Sequence, residues 1–158
     1  MAAGIFIDLG NGIKGESTQI GFEDHIAASS LQWGASRAIG AFTSGIRETS
    51  RPNFSEVVFS KTVDISTNDI VGAMTKGKSL ATVMISFVRD DGEDGFTYLT
   101  YELTDVFISS YSVSSAGETP MESVALNFAK IKSVYKKLAS DHSGAGENEF
   151  EYDLKAQA

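Results

Sequence analysis

The sequence predicts a mainly β fold with one short helix. Three observations carry this. Isoleucine and valine number 12 and 10 against 8 leucines, and both are stiff at χ1 and suit a pleated surface better than a helix. Several segments alternate with period two, most cleanly Ala81, Val83, Ile85 and Phe87 against Thr82, Met84, Ser86 and Val88. Leu, Ile, Val and Phe make up 40 of the 158 residues, above the level of disordered chains and enough for a packed core.

Taken in order, Ile5, Ile7 and Leu9 alternate with Phe6 and Asp8 as a first strand, and Gly10-Asn-Gly12 marks a turn. His25 to Gly34 reads as a second, longer strand. Arg37 to Asn53 has scattered apolar residues, Gly40, Gly45, Pro52 and three arginines. It predicts a long extended loop, which in a compact domain is functional or hides an element. Phe54 to Asp64 resumes the β pattern. Ser66 to Lys76 predicts the helix: Ser66 or Thr67 caps it, Asp69 suits the dipole of the first turn, and Ile70, Val71, Ala73 and Met74 form an apolar face. Gly77 suits a left-handed C-cap.

Residues 81–88 and Phe96 to Leu103 predict a hairpin around the turn Asp90-Asp91-Gly92-Glu93-Asp94-Gly95. Asp105 is a candidate kink, with a further strand from Val106 to Ser115. Met121 to Leu138 gives a conflict. Met121, Val124, Phe128, Ile131, Tyr135 and Leu138 follow helical spacing, while Val124, Leu126 and Phe128 also alternate with Ala125, Asn127 and Ala129. Local pattern favours the helix. Ser140 to Asn148 reads as a polar linker, and Phe150, Tyr152 and Leu154 as a closing strand.

Length suggests one domain over residues 1–158. Net charge is −8, which argues against broad nucleic-acid binding. With no cysteine, disulfides, thiolate metal sites and a cysteine nucleophile are excluded. His25 and His142 are the only histidines, too few for a multi-histidine metal site. The N-terminus lacks the basic region of a secretory signal peptide, and no apolar run is long enough to span a membrane. No serine elbow, phosphate loop or dinucleotide fingerprint occurs. The acids Asp90, Asp91, Glu93 and Asp94 lack the ligand spacing of an EF-hand and read as a solvated turn. Trp33 reads as core, and Lys130, Lys132, Lys136 and Lys137 as a solvated face. Neither an enzyme nor a cofactor is expected.

Four segments in order carry a resemblance: Ile13-Lys-Gly-Glu-Ser17, Leu31-Gln-Trp-Gly-Ala-Ser36, Phe59-Ser-Lys-Thr-Val-Asp-Ile-Ser66 and Val124-Ala-Leu-Asn-Phe-Ala-Lys-Ile131. Over nearly its whole length the chain resembles the haemolysin-coregulated proteins (Hcp), the tube subunits of bacterial type VI secretion systems. The resemblance implies a β-barrel-like fold of two packed sheets with one flanking helix. It makes Met121 to Lys136 a strand, against the local spacing. It implies hexameric rings that stack into a tube inside a contractile sheath, meet a spike and baseplate, carry effectors in the lumen, and leave the bacterial cytoplasm without a signal peptide. It gives the loop 37–53 a role in contacting the next ring and supplies no catalytic residue.

The loop holds Arg37, Arg47 and Arg51 against Glu48, a net charge of +2, and the segment Arg89 to Asp94 carries −3. If the two features lie on opposite ring faces, basic loop and acidic turn are expected to oppose each other between rings; the alternative is that these charges only solvate two loops. The alternatives are a phage-like tail-tube protein and a stand-alone β-barrel binding module.

Overall fold

The structure, a computed structural model, describes residues 3–40, 49–90, 95–138 and 144–158. Two antiparallel sheets share one strand, and they do not close into a barrel. The first runs β2 (Ile26–Ala28), β1 (Gly4–Asp8), β7 (Leu80–Arg89), β8 (Phe96–Ser114), β10 (Lys130–Leu138) and β11 (Gly144–Asp153). The second runs β8, β9 (Met121–Asn127), β6 (Val57–Thr62) and β3 (Ser30–Gln32). A separate two-stranded ribbon is made of β4 (Ala35–Ile39) and β5 (Thr49–Phe54).

β8 belongs to both sheets because Asp105 takes a left-handed conformation, φ 55°. Leu103 and Val106, three positions apart, are both fully buried. A regular strand would turn them to opposite faces, so Asp105 is the kink expected, and it resets the alternation. Before it β8 pairs with β7 and β10; beyond it Val106 still faces Leu80 of β7, and Phe107–Ser114 pairs with β9. A second switch occurs between β2 and β3. The single long strand expected over 25–34 is broken there: β2 pairs with β1, whereas β3 pairs with β6, and Ser29 N–H donates to Ser60 O at 2.7 Å.

The core lies between the sheets. Ile7, Val57, Phe59, Ile85, Leu103, Val124, Leu126 and Ile131 are sealed from solvent. Helix α1 (Thr67–Lys76) lies against β8 and buries Ile70 and Ala73. Gly77 ends it in the expected left-handed cap, φ 62°, with its N–H directed to Ala73 and Met74 carbonyls. The N-cap Ser66 makes no side-chain cap bond. Its N–H instead donates to Asp64 Oδ1 at 2.8 Å, so the chain turn before the helix does the positioning. Gly15 has a steric reason: a Cβ there would sit 2.4 Å from the His25 carbonyl oxygen.

Four local readings change. Met121 to Leu138 is not helical: it is β9 and β10, separated at Phe128 and Ala129. The spacing of three and four arises because Val124, Leu126 and Phe128 face the core from β9 and its end, and Ile131 does so from β10. The residues read as a linker already form strand from Gly144. Phe54 belongs to β5, not to the strand after it. The extended loop over 37–53 is a ribbon in its described part, with Arg37 opposite Pro52 and Ile39 opposite Thr49.

Candidate functional site: sheet edges, ribbon and helix groove

The ribbon is anchored by aromatic packing. Trp33 stacks on Phe54 with ring centres 6.2 Å apart and meets Tyr101 edge-on at 5.5 Å; Phe54 also stacks on Tyr152 at 5.0 Å. Trp33 is half-buried at the ribbon base and not in the deep core. Three hydrogen bonds pin the base: Gly34 N–H to Ser55 Oγ at 2.7 Å, Ser55 N–H to Gly34 O at 2.8 Å and Ser55 Oγ–H to Gly34 O at 3.1 Å. Beyond it the ribbon is solvent-exposed. Arg37 and Arg51 are exposed. Because Arg37 faces Pro52 across the ribbon, and neighbouring positions alternate faces, Arg51 points to the other side. Arg47 and Glu48 lie outside the described residues, as do Asp91, Glu93 and Asp94. Asp90 is exposed at the end of β7, beside Arg89, whose guanidinium lies 4.4 Å above the Tyr98 ring.

Two long sheet edges are open. Among the described residues β11 pairs with β10 alone, and Phe107–Ser114 of β8 pairs with β9 alone. Each leaves a row of backbone donors and acceptors without a strand partner. The basic run on β10 is partly neutralised from β11: Lys130 Nζ lies 2.6 Å from Glu151 and Lys132 Nζ 3.7 Å from Glu149. The hydrogen bond and charge of Glu151 raise the Lys130 pKa, and Lys130 in turn lowers that of Glu151.

A groove of about 280 Å³ lies between α1 and the Gly10–Ile13 turn. Its floor is apolar, made by Ile13, Ala73 and Leu80; Asp69, Lys76 and Lys78 are charged residues of its rim. The turn takes three left-handed residues in succession, Gly10, Asn11 and Gly12. Asn11 Nδ2 holds it by donating to Ser79 O at 3.1 Å.

Sequence reading did not find a charged cluster buried at one end of the core. Lys61 is wholly buried, and its Nζ donates to Asp64 Oδ1 at 2.9 Å, Thr62 O at 3.2 Å and Thr67 Oγ1 at 3.5 Å. Glu122 Oε2 lies 2.9 Å from Lys61 Nζ, an ion pair outside the angle of a hydrogen bond. Thr67 Oγ1 donates to Glu122 Oε1. Burial, and then Glu122, raise the Tyr111 pKa. The signal was present in the alternation: Lys61 continues the inward parity of Val57 and Phe59, and Glu122 that of Val124 and Leu126. Near the bend of β8, Lys155 Nζ pairs with Asp105 Oδ2 at 2.8 Å.

Among the described residues no group of three or more His, Asp or Glu could hold a metal, and no helix is long and apolar enough to cross a membrane.

Residues 6–135 match the family described as "Type VI secretion system effector, Hcp". Over 148 residues the chain is 28% identical to Protein hcp1 of Pseudomonas aeruginosa, covering 92% of this chain and 91% of that protein. Among solved structures, a type six secretion system protein superposes with a TM-score of 0.89 at 21% identity, covering 99% of each chain. Hcp1 from Salmonella typhimurium superposes with a TM-score of 0.78 at 22% identity, covering 99% of this chain and 97% of that one. At these identities the two structures speak to the fold.

Proposed function

The chain belongs to the Hcp family of the type VI secretion system, and from that premise we propose that it is a structural subunit of the inner tube. Six copies close into a ring, rings stack into a tube within the contractile sheath, and the tube leaves the bacterial cytoplasm with the spike, carrying effectors in its lumen. The whole chain acts as one tube domain. The observation that supports ring closure is the pair of open edges, β11 and Phe107–Ser114 of β8. Exposed edges template strand pairing, and one edge of each copy meeting the other edge of its neighbour is a heterologous contact that a ring closes.

The ribbon is the stacking element in this reading. Arg37, Arg47 and Arg51, with Glu48, form its basic surface, and Asp90, Asp91, Glu93 and Asp94 supply an acidic one. Reversed rings would oppose like charges, so the contact sets polarity. Light scattering at micromolar concentration is the test. The expected mass is six times the 16.9 kDa of one chain; a stable monomer would overturn the tube reading.

A further inference from the structure

Of the five asparagines in the chain, Asn11 alone is followed by glycine. Asparagine is among the thermally labile side chains. Asn11 and Gly12 are both exposed. Among the described residues the Gly12 N–H makes no hydrogen bond, and a Cβ at Gly12 would meet no atom within 4 Å. The Gly12 nitrogen is therefore open to solvent, one residue beyond a side-chain amide. An amide carbon and a backbone nitrogen so placed in sequence can join into a cyclic imide.

The fold works against that step. Asn11 Nδ2 donates to Ser79 O at 3.1 Å, which pins the side-chain amide to the segment after α1. The backbone is held too. Gly10, Asn11 and Gly12 are left-handed, with φ of 68°, 53° and 77°, and Ile13 N–H closes the turn on Gly10 O at 3.0 Å. Ser79 is itself fixed, since its Oγ donates to Asp105 Oδ1 at 3.0 Å at the bend of β8. Closing the imide requires the Asn11 amide carbon to swing onto the Gly12 nitrogen, so the bond to Ser79 must open first.

We propose that Asn11 is a site of spontaneous deamidation, gated by its hydrogen bond to Ser79. The Gly12 nitrogen attacks Asn11 Cγ. The N–Cγ bond forms, the Cγ–Nδ2 bond breaks, and the Gly12 amide proton leaves with Nδ2 as ammonia. Water then opens the imide at one or other carbonyl. One opening restores the backbone with aspartate at position 11; the other routes the backbone through the side chain as isoaspartate. Either product replaces the amide donor by a carboxylate, which only accepts. That carboxylate faces Ser79 O, another acceptor, so the reaction removes its own gate and leaves the turn unpinned. None of this depends on how copies assemble.

The test incubates the full wild-type chain at mildly alkaline pH, folded and in urea, and maps its peptides by chromatography and mass spectrometry. Isoaspartate is expected at position 11 ahead of Asn53, Asn68, Asn127 and Asn148 in both conditions. The folded reaction is expected to run roughly tenfold slower, because the population of the opened turn sets its rate. Asn11→Asp, made directly, is expected to stay folded by circular dichroism and to quicken hydrogen exchange of the Ile13 amide severalfold. Modification first at another asparagine would overturn the site. Equal rates with and without urea, or unchanged Ile13 exchange in Asn11→Asp, would overturn the gate.

Discussion

Lys61 and Glu122 stand directly opposite each other in the β6–β9 register, and neither side chain reaches solvent. Two charges therefore cross-link neighbouring strands inside the apolar core, with Asp64 and Thr67 tying them to the start of α1. Breaking such a pair strands an uncompensated buried charge, whereas replacing both members by apolar groups can be nearly neutral.

Lys61→Met is accordingly expected to destabilise the protein by about 3–5 kcal/mol. Lys61→Met/Glu122→Leu is expected to cost less than the two single changes summed. Urea unfolding of the four proteins in a double-mutant cycle measures this. Additive losses would mean that the two groups do not act as a pair.

Asp105 and Lys155 give a pH signature. The hydrogen bond from Lys155, then that from Ser79, lowers the Asp105 pKa, and Asp105 raises that of Lys155. A lowered carboxylate pKa contributes stability that is present above its unfolded value and lost as pH falls through the folded one. The raised lysine contributes stability below its unfolded value, lost as pH rises through the folded one. An NMR titration of Lys155→Ala should show the Asp105 carboxylate moving back up towards its ordinary range. An unchanged Asp105 titration would show that the pairing is not populated in solution.

Phe128 closes the core between β9 and β10 and is 5% exposed. Phe128→Ala should cost about 3–5 kcal/mol, the usual loss for a buried phenylalanine. The midpoint of denaturant unfolding, read by circular dichroism, is the measurement. A loss below about 1 kcal/mol would show that the neighbouring chain collapses into the space.

The ribbon charges are tested by Arg47→Glu/Arg51→Glu. Rings should form as before, and stacking should weaken. Each exposed pair is worth only about 0.2–1 kcal/mol, but the proposed hexamer would repeat it around the ring. Raising salt should weaken wild-type stacking as well. Stacking by the variant equal to wild type at low salt would leave the ribbon to act by shape alone.

Legibility in the sequence followed the range of the forces involved. The helix at Thr67–Lys76 and the β7–β8 hairpin were readable because caps, turns and alternation are local. Met121 to Leu138 misled because two successive strands, each with period two, mimic helical spacing across their junction at Phe128. The switch at Ser29 left no mark, since its cause is pairing with Ser60, far along the chain. Lys61 and Glu122 sat in view on inward parity, but only the β6–β9 register makes them partners. The family resemblance resolved the strand where spacing could not.

β8 is a single run of 19 residues that serves both sheets, bent at Asp105. The two halves of the fold are thus joined by continuous backbone as well as by packed side chains. Load applied to one sheet passes to the other through peptide bonds, which do not slip as an oily interface can. Sliding of one sheet past the other would therefore require bending this shared strand.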